Sequence, residues 1–345
     1  MLSVLETIEN IDLDLDQTDY YAAILGESPS KGAKSPSLWN GAFDALGLSA
    51  MMHPMDIVPE KLMAVVECLR KDKRFIGGAV TMPYKINILP FLDKLEPEAE
   101  MIGAVNCIYR DGEKLIGSNT DGAGAIWSLE KEIYGGLNEK TVLQIGTGGA
   151  GFAVASYLSS AIGPRGCLKL ANRSHQSRKN LAAKLYGRCR IEQVEWPLSS
   201  DDVRDLDILV NCTSIGFKTL REDSNGIFSL NFYTPLGPVD DSARVKKIKD
   251  AEKIYLKSAS DAIKANIGYS FEILASMDNP FIFDIIYQPP QSMLLCMAEL
   301  IGYKTLNGAP MNLEQAVIAF KKAVSASGLY DIENNEVRDI MRKIW

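Results

Sequence analysis

Short apolar runs alternate along this chain with stretches whose apolar positions recur every three or four residues, the two patterns of a strand and of an amphipathic helix. Residues 20–25 predict a strand, and the glycine- and proline-bearing stretch 26–36 a loop. Over residues 37–46, Leu38, Ala42 and Ala45 fall at helical spacing. Residues 50–58 predict a strand, 59–69 a helix and 77–81 another strand. Residues 103–109 and 115–117 read as two strands joined by a turn at Asp111-Gly112. Strands and helices in alternation make about the first 120 residues an α/β unit.

A second alternation follows. Residues 141–145 predict a compact buried strand ending at Gly146-Thr147-Gly148-Gly149-Ala150-Gly151, and residues 150–159 the helix these glycines open. Residues 167–171, 208–212 and 281–286 predict further strands. They leave through Asn172-Arg173-Ser174, Thr213-Ser214-Ile215-Gly216 and Tyr287-Gln288-Pro289-Pro290. Together they describe a doubly wound nucleotide-binding domain. The least legible region is 217–280, polar at first and lysine-rich between Lys246 and Lys257. It is too long for a bare loop in a compact domain, so it is expected to carry a helix of its own.

Composition narrows the class. A chain of 345 residues exceeds one ordinary core and points to two domains. Hydrophobic residues at 46% and charged residues at 23% suit a soluble globular protein. A net charge of -7 argues against a nucleic-acid partner. No run approaches the roughly 20 apolar residues that span a bilayer, and the start Met1-Leu2-Ser3-Val4-Leu5-Glu6 lacks the pattern of a signal peptide. Six cysteines at 68, 107, 167, 189, 212 and 296 show no paired spacing for a metal or a disulfide. A cytoplasmic setting without a metal follows as the expectation. Two histidines, His53 and His175, are too few for a histidine-rich metal site and lie far from a partner for a serine–histidine triad.

The glycine fingerprint is the firmest chemical signal, because it follows an apolar strand and opens a helix. The first glycine permits a tight turn, the second admits pyrophosphate to the backbone, and the third lets helix and strand pack closely. Helix N-terminal amides then face the phosphates. The next strand ends in Asn172-Arg173-Ser174, with Arg178 and Lys179 soon after and no carboxylate to bind ribose hydroxyls. A cation there pairs with a 2′-phosphate, which favours NADP over NAD. Ahead of the fingerprint, Lys85 closes Val80-Thr81-Met82-Pro83-Tyr84-Lys85 and Asp121 closes Gly117-Ser118-Asn119-Thr120-Asp121. Beside a carboxylate, a lysine stays protonated and can donate a proton to a carbonyl as hydride arrives.

Further motifs stand in order around these. They are Lys34-Ser35-Pro36 followed by Asn40, Gly103-Ala104-Val105-Asn106, Asp284 with Tyr287, and Asn307-Gly308 leading to Met311 and Gln315. Taken together, the motifs resemble the shikimate dehydrogenase family over almost the whole chain. The resemblance implies an α/β fold with an N-terminal substrate domain over 1–121, completed by 307–345, and a Rossmann domain over 122–306. It implies a C-terminal helix near Met311 that returns to the first domain, so that Gln315 meets the ring that Asn106 meets. The implied activity is NADP-linked interconversion of shikimate and 3-dehydroshikimate, in the formation of aromatic amino-acid precursors. Lys85 and Asp121 would be catalytic, and Ser35, Thr81, Asn106, Tyr287 and Gln315 would hold substrate. The implied cofactor residues are Gly146, Gly148, Gly149, Ala150, Gly151, Asn172, Arg173, Ser174, Thr213 and Met311.

Several positions depart from the family pattern. Ala33 stands where a second serine normally helps to hold the substrate carboxylate, although the loop is one residue longer and Ser30 or a backbone amide could substitute. Trp39 replaces a frequent histidine, Pro310 replaces a glycine before Met311, and 217–280 exceeds the usual length. The alternatives left open are a relative acting on quinate, aminoshikimate or another cyclohexane carboxylate, and a non-catalytic NADP-binding sensor. A monomer and a homodimer are equally open.

Overall fold

The computed structural model describes residues 4–10, 12–240 and 242–345, so the start of the chain read for a signal peptide lies partly outside the described residues. Two compact units divide the chain, residues 1–124 with 312–345, and residues 125–311. The sequence boundaries of 121/122 and 306/307 lie a few residues away, because two helices run across the divisions.

The first unit is built on β1 (Tyr20–Gly26), α1 (Ser35–Ala45), β2 (Ala50–Asp56), α2 (Leu62–Lys71) and β3 (Phe75–Val80). There follow α3 (Tyr84–Asn87), β4 (Lys94–Leu95), α4 (Pro97–Ile102), β5 (Cys107–Asp111) and β6 (Lys114–Ser118). The six strands form one sheet in the order β2-β1-β3-β5-β6-β4. β1 runs parallel to β2 and β3, and β5 turns antiparallel to β3 and β6. β1 is apolar on both faces because helices cover both. Tyr21, Ala23 and Leu25 pack towards Val65, Val66 and Leu69 of α2. Ala22 and Ile24 face Trp39 and Phe43 of α1, together with Phe320. Trp39 is wholly buried and meets the Phe320 ring edge-on at 5.2 Å between centroids, so it serves the core. Pro54 is tolerated because β2 is an edge strand.

The second unit follows α5 (Asp121–Glu132), which straddles the division. It contains β7 (Thr141–Ile145), α6 (Gly149–Ala161), β8 (Cys167–Ala171), α7 (His175–Lys184), β9 (Arg190–Val194) and β10 (Ile208–Asn211). Next come β11 (Leu220–Asp223), β12 (Gly226–Ser229), α8 (Ala251–Ser258), α9 (Ser260–Ala275), β13 (Phe281–Asp284), α10 (Met293–Ile301) and β14 (Thr305–Leu306). Its main sheet is parallel throughout, in the order β14-β13-β10-β7-β8-β9. Strand order reverses about β7, the switch point at which a doubly wound sheet opens a crevice. The chain then enters α11 (Ala309–Ala326) and α12 (Asn334–Ile344), and residues 312–345 belong to the first unit.

One local expectation needs correction, and elsewhere the structure adds to the reading. Residues 103–106 are not strand: Gly103 takes a left-handed conformation (φ 71°) that ends α4, and β5 begins only at Cys107. Lys85 is the second residue of α3, past the end of β3, and Asp121 opens a helix that weak amphipathicity hid. The region 217–280 carries two helices and a β-hairpin, because Leu230, Tyr233, Tyr255 and Ile263 form a small apolar cluster of their own with Ile215. Among the described residues, no helix is long and apolar enough to cross a membrane.

α12 is locked to α11 by a buried ion pair. Arg338 Nε and Nη2 donate to Glu314 Oε2 and Oε1 at 2.6 and 2.7 Å. Removing one partner of such a pair strands the other charge in a dry setting. Arg338→Met is therefore expected to lower stability by about 3–5 kcal/mol in chemical denaturation, with much of that recovered in Arg338→Met/Glu314→Leu. A single-mutant loss below about 1 kcal/mol would show the pair to be solvated.

Candidate active site

Four residues from distant parts of the sequence meet within the first unit. Lys85 Nζ donates to Asp121 Oδ2 at 2.6 Å, and Asn106 Nδ2 donates to Asp121 Oδ1 at 2.7 Å. The same Asn106 nitrogen lies 3.0 Å from Thr120 Oγ1 and 3.3 Å from Gln315 Oε1. Its carboxamide oxygen accepts the Thr120 amide at 2.8 Å, which fixes the orientation of the group. Gln315 is held in turn, since its backbone oxygen accepts from Thr120 Oγ1 at 3.0 Å and its Nε2 donates to the Asn312 backbone oxygen at 2.9 Å. The exposures differ usefully: the Asp121 side chain is 11% exposed and that of Lys85 31%, so the ammonium is the member open to a visitor. Behind them, the Cys107 thiol is pushed up to about 12 by burial and stays neutral.

Local structure explains the meeting. β3 and β5 are neighbours, and the Val105 amide donates to the Lys85 carbonyl at 2.7 Å, which pins the turn bearing the lysine. Asp121 sits in the first turn of α5, where the helix dipole favours a carboxylate. Thr81 follows directly on β3, and its methyl packs so close to Gly26 that a Cβ there would lie 2.4 Å away. Ser35 opens α1, whose N-terminus has no side-chain cap, and its hydroxyl has no hydrogen-bond partner among the described residues.

Of the substitutes considered for Ala33, Ser30 and the Ala33 amide are engaged elsewhere, which leaves the amides at the uncapped start of α1. Ser30 Oγ donates to Asp56 Oδ2 at 2.5 Å, and the Ala33 amide donates to the Pro29 carbonyl at 3.0 Å. Ser37 Oγ is taken by the Lys34 carbonyl at 2.9 Å. Ser35 and the exposed Ser28 are therefore the loop serines whose hydroxyls are not engaged among the described residues, and of these Ser35 is the one that opens α1.

In the second unit, a cavity of about 240 Å³ lies at the carboxyl edge of the parallel sheet. Gly146, Gly148, Asn172, Arg173, Trp196 and Thr213 are among its lining residues. Gly146 has φ 101°, and a Cβ on Gly151 would lie 2.3 Å from the Gly146 oxygen, so α6 packs directly on the turn. A Cβ on Gly148 or Gly149 would meet no atom within 4 Å. The protein's own packing therefore does not require glycine at these two positions, whereas a phosphate approaching the backbone does. These residues fit a dinucleotide. Gln144, which the sequence did not single out, holds the turn by donating to the Gly146 and Gly151 oxygens at 2.9 and 2.7 Å.

Arg173 is exposed and lies with its guanidinium carbon 6.0 Å from the centre of the Trp196 ring. Arg178 departs from the expectation of a cation facing a 2′-phosphate. It is wholly buried, paired with Glu195, and donates to the Val194 carbonyl at 2.7 Å, so it is structural and not solvated. Ser174 caps α7 by accepting the Ser177 amide, and Asn172 Nδ2 donates to the Ser174 carbonyl at 3.2 Å. Ala150 lies in the first turn of α6. Met311 is buried in the apolar cluster of this unit, and Tyr287 is half-buried just beyond β13. Trp196 was missed because it follows β9, a half-exposed edge strand with little apolar signal. His53 is buried with Nε2 unpartnered and its pKa lowered by burial, while His175 is exposed at the start of α7.

The fold and these residues define a class: an α/β protein with a Rossmann dinucleotide unit, and a lysine–aspartate polar site in its other unit. The family model described as the shikimate dehydrogenase substrate binding domain matches residues 25–108. A shikimate dehydrogenase (NADP+) of Alkaliphilus oremlandii is 32% identical over 300 residues, covering 85% of this chain and 87% of that relative. Another, of Methanocaldococcus jannaschii, is 29% identical and covers 91% of this chain and 95% of its own. A crystal structure of a shikimate dehydrogenase in complex with NADP+ superposes with a TM-score of 0.67 at 25% identity, covering 94% of this chain and 95% of that one. The chain belongs to the shikimate dehydrogenase family.

The glycine geometry separates packing from ligand approach. Gly151→Ala must push α6 off the turn and is expected to lower stability by about 1–3 kcal/mol in thermal unfolding. Gly149→Ala, facing open space in a helix, is expected to be neutral or slightly stabilising. Equal losses at both positions would contradict the distinction.

Proposed function

We propose that this protein is an NADP-dependent dehydrogenase that interconverts shikimate and 3-dehydroshikimate. The observation that carries the proposal is the Lys85–Asp121 pair at 2.6 Å, with Asn106 and Gln315 beside it, in a member of this family. In the oxidative direction, the substrate hydroxyl gives up its proton to the pair. In the reductive direction, Lys85 Nζ gives a proton to the carbonyl oxygen, and Asp121 keeps the amine charged and aimed. NADP, when bound, supplies the hydride acceptor, or its reduced form the donor. Asn106 and Gln315 hydrogen-bond ring hydroxyls, with Thr81 and Tyr287 as further substrate contacts. Ser35, at the uncapped start of α1, holds the carboxylate.

Cofactor binding falls to the open backbone of Gly148, Gly149 and Ala150, with Gly146 and Gly151 shaping the turn. Asn172, Arg173 and Ser174 serve the 2′-phosphate, and Thr213 and Met311 complete the set. The exposed Arg173, with no carboxylate ending β8, supports NADP over NAD. A cytoplasmic setting belongs to the same reading, supported by six cysteines that are all free thiols. An NADP-binding sensor is disfavoured, because binding alone does not require a hydrogen-bonded acid–base pair. Ala33, in place of a second serine, keeps quinate and aminoshikimate as rival substrates.

Three experiments test this reading. Protein given NADP and shikimate is expected to generate reduced nicotinamide, followed by absorbance, faster than with NAD, quinate or aminoshikimate. Lys85→Ala is expected to lower turnover by about 10²–10⁴-fold with far less change in binding. Full turnover in that variant would remove the lysine from the chemistry. Ala33→Ser supplies a second hydroxyl and is expected to lower the Michaelis constant for shikimate by about tenfold, the worth of one charge-assisted hydrogen bond. An unchanged constant would mean that the loop binds a different group.

A further inference from the structure

The two loops that end β10 and β13 share one buried anchor. Asp284, the last residue of β13, is wholly buried. Its Oδ1 accepts Asn211 Nδ2 at 2.9 Å and the Ile286 amide at 3.1 Å, and its Oδ2 accepts Ser292 Oγ at 2.6 Å. Asn211, the last residue of β10, uses its own side-chain oxygen to accept the Thr213 amide and hydroxyl at 2.9 and 2.8 Å. An unbroken chain of hydrogen bonds thus runs from the cofactor-lining Thr213, through Asn211 and Asp284, to the backbone just ahead of Tyr287.

We propose that Asp284 is a positioning residue that ties loop 213–216 to the Tyr287 segment, setting the cofactor contact and the substrate contact together. The inference rests on the NADP reading above. Other bonds in the same unit act on the same two loops. The Gly216 amide donates to the Leu230 carbonyl at 2.9 Å, and the Lys218 amide donates to the Gln288 carbonyl at 2.8 Å. The long segment 217–280 thereby braces both loops from outside, while Asp284 joins them from within.

The surroundings of Asp284 give the tie a titratable strength. Burial pushes its carboxyl up to about 7, against the hydrogen bonds from Ser292, Ile286 and Asn211. Among the described residues no cation faces it; Cys212, directly after β10, feels its charge, and that thiol is itself held neutral by burial. The charged carboxylate accepts from Asn211 and Ile286 more strongly than the neutral acid does. The loops are accordingly held more firmly above neutrality than below it.

The test measures NADP dissociation constants and the Michaelis constant for shikimate in wild type, Asp284→Ala and Asp284→Asn, with folding checked by circular dichroism. The amide retains the Oδ1 acceptor and can donate to Ser292, whereas alanine leaves three donors unpaired. Asp284→Ala is expected to weaken NADP by about tenfold or more and to raise the shikimate constant as well, with Asp284→Asn within about threefold of wild type near pH 6. The affinity of wild type relative to Asp284→Asn should then rise from about pH 6 to about pH 8, a ratio in which the cofactor's own titration cancels. Wild-type NADP affinity in a folded Asp284→Ala overturns the proposal, as does an Asp284→Asn as weak as the alanine variant. Should the alanine variant not fold, parallel pH profiles for wild type and Asp284→Asn overturn it. Failure of wild type to bind NADP at all would instead sink the functional reading.

Discussion

A nearly buried carboxylate held between an amide and an ammonium organises the first unit. Asp121 receives Asn106 on one oxygen and Lys85 on the other. A carboxylate in that position is tolerable only because both oxygens are satisfied and the start of α5 adds a favourable dipole. The arrangement propagates outward. Asn106 is oriented by Thr120, Thr120 holds the Gln315 backbone, and Gln315 belongs to a helix that reaches this sheet from the far end of the chain. Two Asn106 amide hydrogens face three acceptors, of which Gln315 is the most distant. Gln315 is thus the partner most easily surrendered to a ring hydroxyl.

The second unit solves a different problem, that of leaving backbone uncovered without losing shape. Gly146 and Gly151 let helix and strand touch, while Gly148 and Gly149 face open space. Of the turn's own side chains only Thr147 helps to hold it, through a 2.8 Å hydrogen bond with the Ser177 hydroxyl, since Gly146, Gly148 and Gly149 have none. Gln144 supplies the restraint from inside the strand, at the expense of a buried side-chain oxygen without a partner. The neighbouring loop faces a similar demand, and Asn211 and Asp284 meet it in the same way, with buried polar side chains bonding backbone amides. Both devices put polar groups in the core because the exposed edge must remain free for a ligand.

Much of this was legible in the chain. The central parallel strands announced themselves because they are buried on both faces, and their apolar runs were read almost to the residue at β7 and β8. The glycines were legible because their spacing has a geometric cause. Less visible were elements whose signal is diluted by exposure. β9 is half-exposed, α8 and β11 are largely polar, and α5 carries two glycines in its first turn. Arg178 and Ser30 were misjudged for one shared reason: a polar residue in a loop sequence looks available, and only its neighbours reveal that it is already bonded.

The sequence by itself determined the two α/β alternations, the dinucleotide turn and the candidate acid–base residues, because these depend on local periodicity and on residue chemistry at short spacing. Tertiary structure decided which polar groups remain available. Ser30 and Arg178 were removed from the site by partners that no spacing rule places beside them. Asp284 gained its importance the same way, from a strand 73 residues distant in sequence. A hydrogen bond saturates its donor, so whether a side chain can act on a ligand is settled by long-range packing and not by its identity.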